Sequence, residues 1–86
     1  MPARILVLLL FGDVGTDEGR RGNALYEAGN YAEAAAAYRA ALEDLDGETG
    51  AVATGLWNNL GAALHQLERY DEAAAAFERA IEAAET

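Results

Sequence analysis

The sequence predicts an all-α fold built from two similar helix hairpins. Alanine is the commonest of the 86 residues, proline occurs only at Pro2 and β-branched residues are few, a composition that favours helix. Residues 22–42 (GNALYEAGNYAEAAAAYRAAL) align without a gap with residues 61–81 (GAALHQLERYDEAAAAFERAI), at an offset of 61 − 22 = 39. Apolar residues recur in both copies at spacings of three, four and seven, the period of an amphipathic helix. We therefore expect a repeated hairpin to account for most of the chain.

The N-terminal segment, residues 1–19, is an apolar run followed by a glycine-rich acidic lead-in. The run consists of Ile5, Leu6, Val7, Leu8, Leu9, Leu10 and Phe11. It is too short to cross a bilayer, which takes about 20 apolar residues, so a membrane anchor is disfavoured. As an export signal it has a single arginine and no A-x-A-like cleavage site before Gly12. We expect a cytoplasmic protein, with export the alternative if residues 1–12 act as a signal.

The apolar run has a second interpretation, as a self-association segment. Helical repeats bury their apolar faces on one another, and arrays of fewer than three units are short of buried surface. We expect Ile5 to Phe11 to pack on the repeats, either as a cap within its own chain or across a two-fold axis in a homodimer.

The first repeat is predicted at about residues 20–46. Its first helix ends at a turn formed by Gly29 and Asn30, because glycine suits the left-handed position after a helix and asparagine suits a cap. An apolar stripe then marks the second helix: Tyr31, Ala34, Tyr38, Ala41, Leu42 and Leu45. Gly22, like Gly61 of the second repeat, lies within a first helix, where glycine costs propensity, so we expect a neighbouring helix to lie close against each of them.

The second repeat is predicted at about residues 50–86. One stripe comprises Trp57, Leu60, Gly61, Leu64 and Leu67, and the other comprises Tyr70, Ala73, Phe77, Ala80, Ile81 and Ala84. The stretch DLDGETGAVATG separates the repeats and is long. Either the loop is extended, with a turn at Asp46-Gly47, or the helix from about residue 50 to 67 begins more than a turn early.

These residues carry a family resemblance. The pattern W-x2-L-G-x2-L followed by Y-x-E-A-x3-F-x2-A is present in Trp57, Leu60, Gly61, Leu64, Tyr70, Glu72, Ala73, Phe77 and Ala80, and it resembles the tetratricopeptide repeat. The first repeat fits from Gly22 onward, although Glu18 and Arg21 replace the tryptophan and leucine. The 39-residue offset exceeds the 34 usual in this family. The resemblance covers about residues 20–86 and implies an alpha-alpha superhelix of two hairpins.

The resemblance also implies a function and a surface. Such domains are scaffolds whose inner groove, lined by the first helix of each repeat, holds a peptide or helix of a partner. The corresponding positions here are Arg20, Asn23, Tyr26, Glu27, Asn58, Asn59, Ala62, His65 and Gln66. Asn23 and Asn59 resemble the asparagines with which some members hold a terminal carboxylate, but this chain lacks the lysines those members also use.

Composition and motifs argue against other functions. Fifteen acids against six arginines give a net charge of −9, which disfavours nucleic acids and anionic membranes and suits basic or amphipathic protein partners. There is no cysteine and a single histidine, so we expect neither a metal site nor a catalytic triad. The glycines of GDVGTDEGRRG lack the spacing and lysine of a nucleotide-binding loop.

We therefore predict a non-enzymatic, cofactor-free protein-interaction module that self-associates. The alternative is a purely structural oligomerisation or spacer domain of a larger protein.

Overall fold

A computed structural model describes residues 14–45 and 50–85. Within those residues the chain forms four helices and no strand: α1 (Asp17–Glu27), α2 (Tyr31–Leu45), α3 (Ala51–Gln66) and α4 (Tyr70–Glu85). Helix α1 packs on α2 and α3 packs on α4, which gives two hairpins, and α3 also packs on α2 to join them. The predicted all-α fold of two helix hairpins is confirmed.

The start of the first helix is fixed by its cap. Thr16 is extended, and its hydroxyl accepts the backbone N–H of Gly19 at 2.9 Å. Asp17 and Glu18 occupy the first turn, where the helix dipole favours acidic side chains. Val14 folds under this turn and is buried, because Gly19 has no side chain: an added Cβ would lie 2.7 Å from it.

Both hairpins turn in the same way. After α1, Gly29 has a φ of +85°, and the N–H of Asn30 reaches back to the carbonyl of Leu25 at 2.9 Å. After α3, Glu68 has a φ of +63°, and the N–H of Arg69 reaches the carbonyl of Leu64 at 2.9 Å. This bonding ends a helix through one left-handed residue. The turn predicted at Gly29 is confirmed, and glutamate fills the same position in the second repeat.

The extra length between the repeats belongs to α3. Helix α1 has 11 residues and α3 has 16, and their last residues, Glu27 and Gln66, are equivalent in the repeat. The additional five residues therefore extend α3 at its N-terminal end, as one of the two sequence interpretations predicted. The turn predicted at Asp46-Gly47 lies outside the described residues, as does the apolar run of residues 5–11.

The core is organised around two rings lying on glycines. An added Cβ at Gly22 would be 2.6 Å from the ring of Tyr38, and one at Gly61 would be 2.6 Å from the ring of Phe77. The predicted close approach at both glycines is thus present. Among the described residues, Tyr38, Leu56 and Leu64 are the largest apolar side chains that are almost completely buried.

Candidate partner-binding face

Helices α1 and α3 lie side by side in the same direction and form one face of the domain. Near their starts, a Cβ added at Gly15 would lie 3.1 Å from the side chain of Val52. Halfway along, the Nδ2 of Asn59 donates to the Oδ1 of Asn23 at 3.2 Å. At their ends, the Nε2 of Gln66 donates to the Oη of Tyr26 at 3.5 Å. The structure therefore brings together side chains of the two first helices that the sequence had assigned to one surface.

The nine predicted groove residues differ in exposure. Three are buried and lie at the base of this face: Tyr26, Asn59 and Ala62. Two are partly buried: Asn23 and Asn58. Four are exposed: Arg20, Glu27, His65 and Gln66. The exposed four and Asn58 provide most of the polar surface that a partner could reach.

Asn59 does not lie where a partner could bind it. Its side chain is 1% exposed, because it is enclosed between the two repeats. Its amide is used within the protein, in the hydrogen bond to Asn23. Asn59, one of the nine predicted groove residues, therefore lies beneath the surface of this face, and its part in binding a partner stays a prediction.

A buried tyrosine completes a polar network beneath this face, and sequence reasoning missed it. The Oη of Tyr38, a residue of α2, donates to the Oδ1 of Asn23 at 2.7 Å. Burial raises the pKa of Tyr38 well above its ordinary value, and nearby Tyr26 raises it further, whereas a hydrogen bond with Asn59 lowers it. The hydroxyl is therefore neutral at physiological pH and remains a donor.

The repeat alignment contained a signal for this network. Asn23 and Tyr38 of the first repeat correspond to Ala62 and Phe77 of the second. A polar pair in one repeat is replaced by an apolar pair in the other, which is the pattern expected when two side chains bond to each other and must change together.

Local contacts hold several side chains at the edge of the face. Arg20 forms an ion pair with Asp17 one turn earlier on α1. The ring of His65 meets that of Tyr70 edge-on, with centroids 5.1 Å apart. Both contacts are solvent-exposed, so they orient the side chains more than they stabilise the fold.

Away from the α1–α3 face, a concavity with a volume of about 360 Å³ lies between α2 and α4, over α3. Trp57 contributes to its floor, and the guanidinium of Arg79 lies 4.5 Å from the centre of the indole ring. Arg39 of α2 and Glu72 of α4 bridge it at 3.3 Å. Side chains of the protein itself thus already cover the tryptophan.

The described part of the chain also bears on metals and membranes. Within residues 14–45 and 50–85, no group of three or more histidine or acidic side chains is placed to hold a metal ion. None of the helices in these ranges has the length and apolar character needed to cross a membrane.

Comparison with known proteins identifies the family. The sequence model described as "Tetratricopeptide repeat" matches residues 20–86, which include nearly all of the described helices. Nothing among curated proteins or solved structures matches the chain. Proteins with this repeat typically mediate protein–protein interactions and are generally non-catalytic. The family match and the two stacked hairpins together show that this chain belongs to the tetratricopeptide repeat family.

Proposed function

We propose that this chain binds a peptide or helix of a partner protein on the face formed by α1 and α3. The observation that carries the proposal is the alignment of the two helices: hydrogen bonds join them across the face, while polar side chains along it remain exposed. A continuous surface of two parallel helices suits a ligand that is itself extended or helical.

The charge of the protein indicates the chemistry of the partner. The net charge of −9 creates a negative field that attracts cations and speeds their encounter. Glu27 lies exposed on the face, beside Tyr26, which bonds Gln66 of α3. The proposed ligand is a segment with basic residues around a few apolar ones.

A displayed library of random peptides tests this proposal. Peptides selected on the wild-type domain should be rich in arginine and lysine. Their affinity should fall at least tenfold, about 1.4 kcal/mol, when Glu27→Lys and Gln66→Lys are combined, because these changes place two cations on the binding face. Isothermal titration calorimetry measures the affinities.

The matched control is Glu33→Lys combined with Ala36→Lys. These residues are exposed on α2 and receive the same change in charge away from the face. If the peptides lose equal affinity with both pairs, binding depends on the overall field and not on this face, and the proposal fails. Selection of neutral or acidic peptides would reject the stated partner chemistry.

We propose self-association as a second function, which would make the domain an oligomerisation element. The observation that favours it is on α4, where Tyr70 and Ile81 are 55% and 59% exposed, respectively. Large apolar residues on one exposed helix face are typical of an interface. Light scattering should give a mass of twice the 9.1 kDa of one chain.

A further inference from the structure

The exposed apolar face of α4 corresponds to a face that is covered in α2. Five residues of α4 are spaced four, three, four and three residues apart, as in the seam of two packed helices: Tyr70, Ala74, Phe77, Ile81 and Ala84. Four of them are exposed, and Phe77 is partly buried because its ring lies on Gly61. We call them the α4 stripe. Their equivalents in α2 are Tyr31, Ala35, Tyr38, Leu42 and Leu45.

The two stripes differ in burial because the two helices differ in neighbours. Among the described helices, α2 packs between α1 and α3, whereas α4 packs mainly on α3 and is joined to α2 by the Arg39–Glu72 ion pair. Ala35 is 2% exposed, but the equivalent Ala74 is exposed. Leu42 packs on the core, but the equivalent Ile81 is 59% exposed. The comparison of the two repeats thus indicates that the α4 stripe resembles a surface on which another element packs.

A second α4 is a poor cover for this stripe. The helix carries five acids and one arginine, a net charge of 1 − 5 = −4. Two such helices packed face to face would bring like charges together along their whole length.

The α1 helix of a second copy is also a poor cover. In an end-to-end stack it would take the place that α3 has on α2. Asp17 and Arg21 would then occupy the positions of Leu56 and Leu60, two buried apolar residues of α3. Stacking would bury two charged side chains against an apolar stripe, at a high desolvation cost.

The segment Ile5–Phe11 has the chemistry that these helices lack. It has seven apolar residues and no acid, and the one charged residue beside its start is Arg4. The segment itself therefore adds no negative charge to the acidic α4, and the neighbouring Arg4 complements it.

The length of the connection favours a segment from a second copy. From Val14 back to Phe11 the chain can span at most about 11 Å. Val14 is at the start of α1, and α3 lies between α1 and α4. Packed helices are about 8–10 Å apart, so α4 is up to roughly 16–20 Å away, and about two or three residues of the run would be used in reaching it, which leaves fewer to cover the stripe. A segment from another molecule has no such limit.

We propose that the α4 stripe binds residues Ile5–Phe11 of a second copy, and that two copies exchange these segments reciprocally. This inference rests on the proposed self-association and is independent of the α1–α3 face. Reciprocal exchange closes the assembly as a two-fold dimer and leaves no stripe uncovered.

Light scattering on full-length variants tests the stripe. Wild type should have twice the mass of one chain, and Ile81→Glu should reduce it to that of a monomer. The control Ala36→Glu adds the same charge at an exposed site on α2 and should remain a dimer. A monomeric wild type would reject self-association itself. A dimer that survives Ile81→Glu would reject the stripe alone.

A cross-linking experiment tests the occupant, using the absence of cysteine from the chain. A full-length Leu8→Cys protein is mixed with an Ile81→Cys protein and oxidised, and mixed disulfides are identified by mass spectrometry. We expect a disulfide between the cysteine introduced at position 8 of one copy and the one introduced at position 81 of the other, in large excess over the disulfide formed when Ala36→Cys replaces Ile81→Cys. Equal yields with the two partners would overturn the proposal.

Discussion

At the scale of single residues, the polar network beneath the α1–α3 face offers the sharpest test of the structure. Tyr38→Phe should lower the free energy of unfolding by about 1–2 kcal/mol, because it removes a buried donor and keeps the ring on Gly22. Asn23→Ala should cost a similar amount. The double variant has the apolar pair found in the second repeat. Its loss of unfolding free energy should be at least about 0.5 kcal/mol smaller than the sum of the losses in the two single variants.

Urea denaturation measures these free energies for the four proteins of the cycle. The corresponding change in the second repeat, Phe77→Tyr, is the control, since Ala62 offers its hydroxyl no partner. Strict additivity of the first pair would show that Tyr38 and Asn23 do not interact.

The raised pKa of Tyr38 predicts how stability depends on alkaline pH. The unfolded chain releases the tyrosine proton near the ordinary pKa of 10.0, whereas the folded chain retains it. Above pH 10 the unfolded state therefore binds fewer protons, and the free energy of unfolding should fall as the pH rises. The chain has no lysine to titrate in the same range. Tyr38→Phe should flatten this dependence in urea titrations, and an unchanged slope would contradict the prediction.

Replacing Gly61 of α3 by alanine should destabilise the protein, although alanine is the best helix former. Gly61→Ala gains about 1 kcal/mol of helix propensity, but its Cβ would be 2.6 Å from the ring of Phe77. Displacing the ring should cost more, for a net loss of about 1–2 kcal/mol. The thermal midpoint should fall, and Phe77→Leu should recover part of the loss in the double variant. A midpoint that rises on Gly61→Ala would show that the helices are not in close contact.

Sequence alone predicted these glycines better than the asparagines. A glycine inside a helix has a cost that only a close neighbour explains, so Gly22 and Gly61 indicated contact directly. An asparagine on a helix can lie equally well in an open groove or in the interior, where other residues of the protein bond its amide. The burial of Asn59 depends on how α3 is rotated against α1, which no single residue specifies.

At the scale of elements, the two hairpin turns are the same structure made with different residues. Gly29 adopts its φ of +85° at no steric cost, whereas Glu68 at +63° is strained by its Cβ. We predict that Gly29→Ala destabilises the protein by about 1 kcal/mol and that Glu68→Gly stabilises it by up to about 1 kcal/mol. Thermal melts of both variants measure these effects. Shifts in the same direction would contradict the equivalence of the turns.

The early start of α3 shows where sequence reasoning leaves alternatives open. The stretch from Ala51 to Gly55 contains a valine, a threonine and a glycine, which are weak helix formers, so propensity did not choose between loop and helix. Packing decides: Ala53 is 1% exposed, and the N–H of Gly50 bonds the carbonyl of Ala83 at the end of α4. These contacts join residues far apart in the sequence, and a local pattern does not contain them.

At the scale of the whole molecule, the two repeats share one core. Helix α3 packs on the helices of both hairpins, and Tyr38, Asn23 and Asn59 link three helices through hydrogen bonds. A single two-helix hairpin of this size buries too little surface to be stable alone. We therefore expect the repeats to fold and unfold together.

Trp57, the one tryptophan in the chain, makes this expectation measurable because it lies in the second repeat. Gly22→Ala perturbs the first repeat, where its Cβ would lie 2.6 Å from the ring of Tyr38. If the repeats form one cooperative unit, this change should lower the denaturation midpoint seen by Trp57 fluorescence as much as that seen by far-ultraviolet circular dichroism. Measurements at several protein concentrations separate the effect from any change in association. The contrary result is an unchanged midpoint of the Trp57 transition together with a second, earlier step in the circular dichroism. It would show that the second hairpin keeps its structure without the first.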